Sequence, residues 1–173
     1  MLTSQPGHEL VDSAADPRLF REGMSRVAAA VHVVTTAGPA GQGGFTATAV
    51  TPVTDAPPSL LVCVNTASNS VGLLLKNGLF GVNALAHDDL AIADAFSGRS
   101  GIFGAERFAI GTWIPSPSGA PLLLSSLVSF ECRLSDARIV ATHHVLIGEI
   151  VHIRLGENRP ALVYRGRGYR ELE

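Results

Sequence analysis

GGFTATAVTPVTDAPPSLLVCVNTASNS, residues 43–70, is the stretch whose reading decides the fold. Its first part alternates, with Thr46 and Thr48 on one face of a strand and Phe45, Ala47 and Ala49 on the other, because successive strand side chains point oppositely. Asp55-Ala-Pro-Pro58 reads as a turn, since proline fixes φ and lacks the N–H that a central ladder needs. Ser59 to Val64 is an almost uninterrupted apolar run, the pattern of a strand covered on both faces. It ends in Asn65-Thr66-Ala67-Ser68-Asn69-Ser70, a dense set of amides and hydroxyls where a helix begins. A helix start has unpaired N–H groups and a partial positive charge, so hydroxyls there suit either a phosphate seat or simple N-capping by Ser68 or Ser70.

Working outward, Asp16-Pro17 opens a helix with Asp as N-cap and Pro at the first position. Phe20, Met24 and Val27 form an apolar stripe on it, expected to pack into the core. Ala28 to Thr36 reads as the first strand, and Gly38 to Gly44 as a hairpin loop. His32 interrupts that strand as a satisfied or edge-facing histidine. Beyond Ser70, a short helix to Lys76 closes at Asn77-Gly78, and Leu79 to Ala86 is a strand whose one strongly polar member is Asn83. A second helix from His87 or Asp88 carries Leu90, Ala93 and Phe96 on one side and ends at Gly98. Ser97 to Gly104 has three glycines but follows no strand, so it is a connection and not a dinucleotide-binding loop. Arg107 reads as a surface charge or a ligand-facing cation. From Leu127 the chain is nearly all strand, with turns expected at Ser135-Asp136 and Gly156 to Asn158. Short loops between such strands predict a mainly β, antiparallel, Greek-key-like sheet that curls closed.

The 173 residues suit one domain, expected over residues 16–173, behind a loosely held arm at residues 1–15. A net charge of -2, with 13 Lys and Arg spread along the sequence, argues against a nucleic-acid partner. No apolar run approaches the ~18 residues of a membrane span. The start lacks a basic segment and an apolar h-region, which predicts a cytoplasmic location. A hydrophobic content of 46% in so small a domain predicts burial of part of it in a homodimer. Cys63 and Cys132 lie in apolar runs and read as buried, reduced thiols.

Several chemistries are disfavoured. His144 and His152 on one straight strand would be ~26 Å apart, far beyond a shared metal shell, and no HExxH or paired Cys motif is present. There is no GxSxG elbow and no Walker A loop. What remains is a phosphate seat without lysine in a strand-rich domain, suited to an anionic cofactor.

With these features in view, the chain resembles the short-chain flavin reductases, NAD(P)H-dependent FMN or FAD reductases that supply reduced flavin to a separate monooxygenase. The resemblance rests on Phe20-Arg-Glu-Gly-Met24, Ala30-Val-His-Val-Val-Thr-Thr36, Gly44-Phe-Thr-Ala-Thr-Ala-Val50 and Leu61-Val-Cys-Val-Asn65 with Ser68. Phe80-Gly-Val-Asn-Ala-Leu-Ala86, Arg107-Phe108, Thr142-His143 with Gly148-Glu149, and the Leu162 to Arg170 segment extend it, in unbroken order, from about Pro17 to Leu172. It implies a split β-barrel with Thr46, Ala47, Thr48 and Ala49 along the isoalloxazine and ribityl chain. Asn65, Ser68 and Ser70 would hold ribityl and phosphate, with Arg107 on the phosphate side. His143 would stand near nicotinamide and flavin as the catalytic candidate, and Tyr169 would border the same cleft. His144 occupies a position where the family often has Asp. The implied reaction is hydride transfer from NADH or NADPH to flavin N5, the protein supplying alignment. Two alternatives stand beside it: a flavoprotein with fixed FMN passing electrons to an acceptor such as a cobalt corrinoid, and a flavin-binding module without turnover.

Overall fold

A computed structural model describes residues 15–173, so residues 1–14 of the expected arm lie outside the described part. Helix α1 spans Pro17–Arg26 and starts as its sequence dictates: the Asp16 carboxylate accepts from Arg18 N at 2.8 Å, and Pro17 occupies the first turn. The apolar stripe does not enter the core. Phe20, Met24 and Val27 are 64%, 52% and 53% exposed, and α1 buries no residue. Polar ties hold it instead to a later turn, with Gly166 N donating to Ser25 O and Arg167 paired with Glu22 at 2.9 Å.

The expected first strand is split. β1 (Ala29–Ala30) pairs with β11 (Ala161–Arg165), whereas β2 (His32–Thr36) pairs with β3 (Gly43–Ala47) and β6 (Leu79–Ala84). β4 (Val50–Asp55) and β5 (Pro58–Asn65) form the expected hairpin across Ala56-Pro57. Leu60, Val62 and Val64 are buried but Leu61 and Cys63 are only half-buried, so β5 is covered more fully on one face than the other. α2 (Val71–Asn77) closes at Gly78, whose φ of 68° is the left-handed conformation glycine adopts without strain.

After β6, a short turn of helix leads into α3 (Leu90–Ser97), which buries Ala93 and Phe96 and leaves Leu90 exposed. A two-stranded hairpin, β7 (Trp113–Pro115) and β8 (Pro121–Leu123), precedes the long pair β9 (Val128–Val140) and β10 (His143–Leu155). Ser135-Asp136 is not a turn. Leu134 faces Gly148 and Asp136 faces Ile147, so Ser135 is the extra residue of a bulge, its hydroxyl donating to Ile147 O at 3.0 Å. The chain reverses at Ala141 and Thr142, where Ala141 takes a φ of 51°. β12 (Gly168–Leu172) completes a three-stranded sheet ordered β1-β11-β12.

The main sheet is ordered β3-β2-β6-β9-β10-β5-β4, every pairing antiparallel. Its hydrogen-bond ladder is not closed, since β3 and β4 are both edges. Laid flat, seven strands would set those edges ~29 Å apart. Yet β3 ends at Ala47 and β4 starts at Val50, a span of at most about 11 Å. The sheet therefore bends round until its margins meet at Thr48–Ala49. Phe45, Val62, Leu74, Phe80, Val82 and Leu146 fill the space inside with α2. A second cluster of Val31, Val33, Leu85, Phe96, Leu123 and Leu162 lies under α3. β2 serves both, sending Val34 into the first cluster and Val33 into the second, so consecutive residues of this strand are buried on both faces.

Asn83 is fully buried near this junction. Its Nδ2 donates to Val33 O at 3.0 Å, and its Oδ1 accepts from Leu123 N and Ser129 Oγ, each at 2.8 Å. His32 has an Nδ1 without a partner, and burial pushes its pKa below the usual value. No helix of the described residues is long and apolar enough to cross a membrane.

Candidate functional site

A cavity of about 530 Å³ opens along the outer margin of β3. Thr46, Ala47, Thr48 and Ala49 form one side, Asn65, Ser68 and Ser70 the other, and Arg107 and His143 stand at its borders. Nine of the ten residues singled out from the sequence thus share one pocket. Tyr169 is absent from this lining; it packs edge-on to Tyr164, with ring centroids 5.4 Å apart, and lies under the Arg99 guanidinium. Burial raises the pKa of its phenol. The lining also includes Cys63, Asn69, Phe96 and Ser97. Cys63 was expected to be buried, but it is half-buried on the pocket wall; the buried thiol is Cys132, pushed up to about 12 by desolvation and then by Glu131.

The alternation over residues 43–49 ends early. β3 stops at Ala47, with Phe45 and Ala47 in the core, and Thr48 and Ala49 are exposed in the link to β4. The Thr46 hydroxyl donates to Ala93 O at 2.7 Å, clamping β3 to α3. Gly44 permits this approach, because a Cβ there would sit 2.7 Å from Val34 O and 2.8 Å from the Phe96 ring. As an edge strand, β3 has main-chain groups that β2 does not use. Those of Gly44 are engaged: its N–H donates to Ser70 Oγ at 3.1 Å, and its carbonyl accepts from Ser70 Oγ at 2.9 Å and from Arg107 Nη1 at 3.1 Å. By strand alternation the main-chain groups of Thr46 point the same way, offering a polar peptide edge to a flat ligand.

Ser70 is the residue at the start of α2, yet its side chain caps nothing there. A hydroxyl has one proton, and this one goes to Gly44 O. Ser68, Asn69 and Arg107 are the other polar side chains at this end; Arg107 has Nε and Nη1 fixed on Ile102 O and Gly44 O, while Nη2 stays available. The turn before α2 is set locally: Asn65 Oδ1 accepts from Ala67 N at 2.8 Å, and Ser68 N donates to Asn65 O. Thr66 N donates to Thr142 O, which places the β9–β10 turn beside this segment and brings His143 opposite Asn65. The exposed His143 ring shares a hydrogen bond between Nδ1 and Thr142 Oγ1 at 2.9 Å, which leaves Nε2 without a protein partner. His144, one residue on, is half-buried and not part of the lining. Among the described residues no group of three or more His, Cys, Asp or Glu could hold a metal.

A peptide edge and an amide-rich turn flank this pocket, and one guanidinium stands at one end of it. It is the site of a protein that binds a flat, anionic cofactor and leaves the chemistry to it. The chain belongs to the family described as flavin reductase like domain, whose model matches residues 24–173. It is 47% identical over 162 residues to an FMN reductase (NADH) RutF of Methylorubrum extorquens, covering 94% of this chain and 76% of that one. It is 43% identical over 153 residues to an FMN reductase (NADH) RutF of Stutzerimonas stutzeri, covering 88% and 87%. Among solved structures it is similar to BorF, the flavin reductase component of a bacterial two-component tryptophan halogenase, with a TM-score of 0.83, 34% identity and coverage of 91% and 98%. The Streptomyces globisporus NADH:FAD oxidoreductase SgcE6 superposes with a TM-score of 0.85 at 26% identity, covering 97% and 99%.

Proposed function

We infer that the protein is an NADH-dependent flavin reductase that takes FMN as its flavin and hands the reduced form to a partner monooxygenase. The observation that carries this is the convergence of Thr46 to Ala49, Asn65, Ser68, Arg107 and His143 on one pocket in a chain of the flavin reductase-like family. In this reading NADH gives a hydride to flavin N5 and, with one proton from solvent, leaves NAD⁺ and dihydroflavin. The chain's own residues position. Thr46 and Thr48 present the polar strand edge to the ring, while Ser68, Asn69 and the free Nη2 of Arg107 receive the phosphate. Ser70 acts one step back, holding Gly44 and through it the strand edge. His143, steadied by Thr142, directs Nε2 toward the reacting pair, where it stabilises negative charge on the reduced ring or holds the nicotinamide amide.

We take residues 16–173 to be one domain in which the curled sheet forms a split barrel, in a cytoplasmic homodimer. Exposed Val53, Ile139 and Val140 provide apolar surface for the dimer contact. Light scattering at micromolar concentration should give twice the chain mass. The deciding assay is anaerobic oxidation of NADH and NADPH with FMN, FAD and a corrinoid compared as acceptors. Fastest oxidation is expected with NADH and FMN; absence of flavin binding and of NADH oxidation overturns the reading.

A further inference from the structure

Tyr169 stands outside the flavin pocket, but a chain of contacts leads from its ring back to Arg107. The Arg99 guanidinium lies over Tyr169 and Tyr164 together, with Cζ 5.5 Å and 5.8 Å from the two ring centroids. Its Nη2 donates to Tyr164 Oη at 3.4 Å, and its Nη1 pairs with Asp94 at 3.9 Å. Arg99 belongs to the connection over residues 98–104, which leaves the end of α3 and leads into the helical turn that carries Arg107. Gly98, Gly101 and Gly104 take φ values of 81°, 73° and 58° there, a left-handed geometry that leaves the backbone many alternatives. Beyond bonds from Arg99 N to Ser97 Oγ and from Ile102 N to Ser100 Oγ, two arginines tie this segment down. Arg99 fastens it to β11 and β12, and Ile102 O accepts from Arg107 Nε at 3.0 Å.

Arg107 is correspondingly constrained. Its planar fork is held by two carbonyls, Ile102 O on Nε and Gly44 O on Nη1, so the direction of Nη2 follows from where those carbonyls stand. Gly44 is fixed by pairing with Thr35 and by both bonds to Ser70. Ile102 has no ladder partner, and its place depends on how the connection is moored. We propose that Arg99, seated on Tyr164 and Tyr169, is a positioning residue for the flavin phosphate: it sets the Ile102 carbonyl and, through it, the aim of Arg107 Nη2. This role rests on the flavin reductase reading, in which Nη2 receives that phosphate. Tyr169 then acts on the cofactor without touching it. Loss of Arg99 should be felt only by a flavin that carries a phosphate.

The test is fluorescence titration of the full chain with FMN and with riboflavin, which lacks the phosphate, in the absence of NADH. The parent chain should bind FMN more tightly than riboflavin. Arg107→Ala should weaken FMN binding about tenfold or more, the scale of one hydrogen bond between charged groups. Arg99→Ala should weaken it about two- to fivefold, the scale of a half-exposed cation–π contact, and leave riboflavin binding unchanged. In the Arg107→Ala background, Arg99→Ala should have no further effect, because both act through one contact. Equal losses for the two flavins overturn the proposal, as a general distortion would produce them. Additive losses in the double variant overturn it too, since Arg99 would then act on the phosphate directly. So does unchanged FMN affinity with a raised KM for NADH, which would place Arg99 on the nicotinamide side. A parent chain that binds both flavins equally removes the phosphate from Arg107 and with it this role, while one that binds neither overturns the flavin reductase reading itself.

Discussion

Replacing Ser70 with Ala separates two roles for the hydroxyl at the start of α2. Its oxygen accepts from Gly44 N and its proton goes to Gly44 O, all within a buried site where the Ser70 residue is 8% exposed. In the variant the Gly44 carbonyl still accepts from Arg107 Nη1, but the Gly44 N–H loses its acceptor. One orphaned buried donor costs about 2 kcal/mol. For a chain of this length that corresponds to a midpoint about 4–8 °C lower in thermal unfolding. Because the hydroxyl proton is not free for phosphate, FMN affinity should fall by less than about tenfold, the worth of one direct hydrogen bond to a charged group. Ser68→Ala should show the reverse, with little change in midpoint and a larger loss of affinity. Scanning calorimetry and FMN fluorescence titration on both variants decide it. An unchanged midpoint in Ser70→Ala together with a loss of affinity beyond tenfold would refute the wiring argued here.

Three further outcomes are expected. His143→Ala should lower turnover about ten- to a hundredfold, the scale of one lost hydrogen bond to a charged group, while FMN affinity changes little; steady-state kinetics showing parallel losses would disprove the role. Asn83→Ala strands the Leu123 N–H in the core, while Ser129 Oγ keeps Ser126 Oγ as a partner at 2.7 Å, so urea unfolding should report about 2 kcal/mol less stability, with FMN binding retained. His32 is held below its ordinary pKa by burial, so near pH 6.5 the unfolded chain takes up a proton that the folded chain resists. Stability is therefore lost as pH falls from about 6.5 toward the depressed folded value, by at most about 1.4 kcal/mol per pH unit. His32→Gln should flatten the thermal midpoint between pH 5 and 7 relative to the parent chain; identical slopes would count against it.

What the sequence made legible is what short-range chemistry controls. The Asp16-Pro17 start, the Asn77-Gly78 and Gly98 ends and the turn at Asp55 to Pro58 each depend on φ preferences or a side chain reaching two residues along, and each stands where it was expected. Thr46, Thr48, Asn65, Ser68 and Ser70 stand out in the sequence as hydroxyls and amides on either side of one turn, whereas the roles of Ala47, Ala49, Arg107 and His143 come with the family resemblance. What was not legible depends on partners distant in the chain. Ser135-Asp136 has turn composition, but its fate is set by the register with Ile147 and Gly148 on the opposing strand. A helical stripe such as Phe20, Met24 and Val27 signals that something covers it without saying that the core does. Ser70 looks like a cap until Gly44, 26 residues earlier, is brought within hydrogen-bonding distance. Tyr169 follows the motif yet turns toward Arg99 and Tyr164, a choice made by the three-stranded sheet and invisible along the chain.

Two residues, Thr48 and Ala49, carry the chain from one margin of the main sheet to the other and also line the pocket. A ligand resting there acts as a rivet across the seam that the strands leave unstitched. Occupancy and the integrity of the sheet are then two readings of a single equilibrium, and lengthening that link by even one residue would loosen both together.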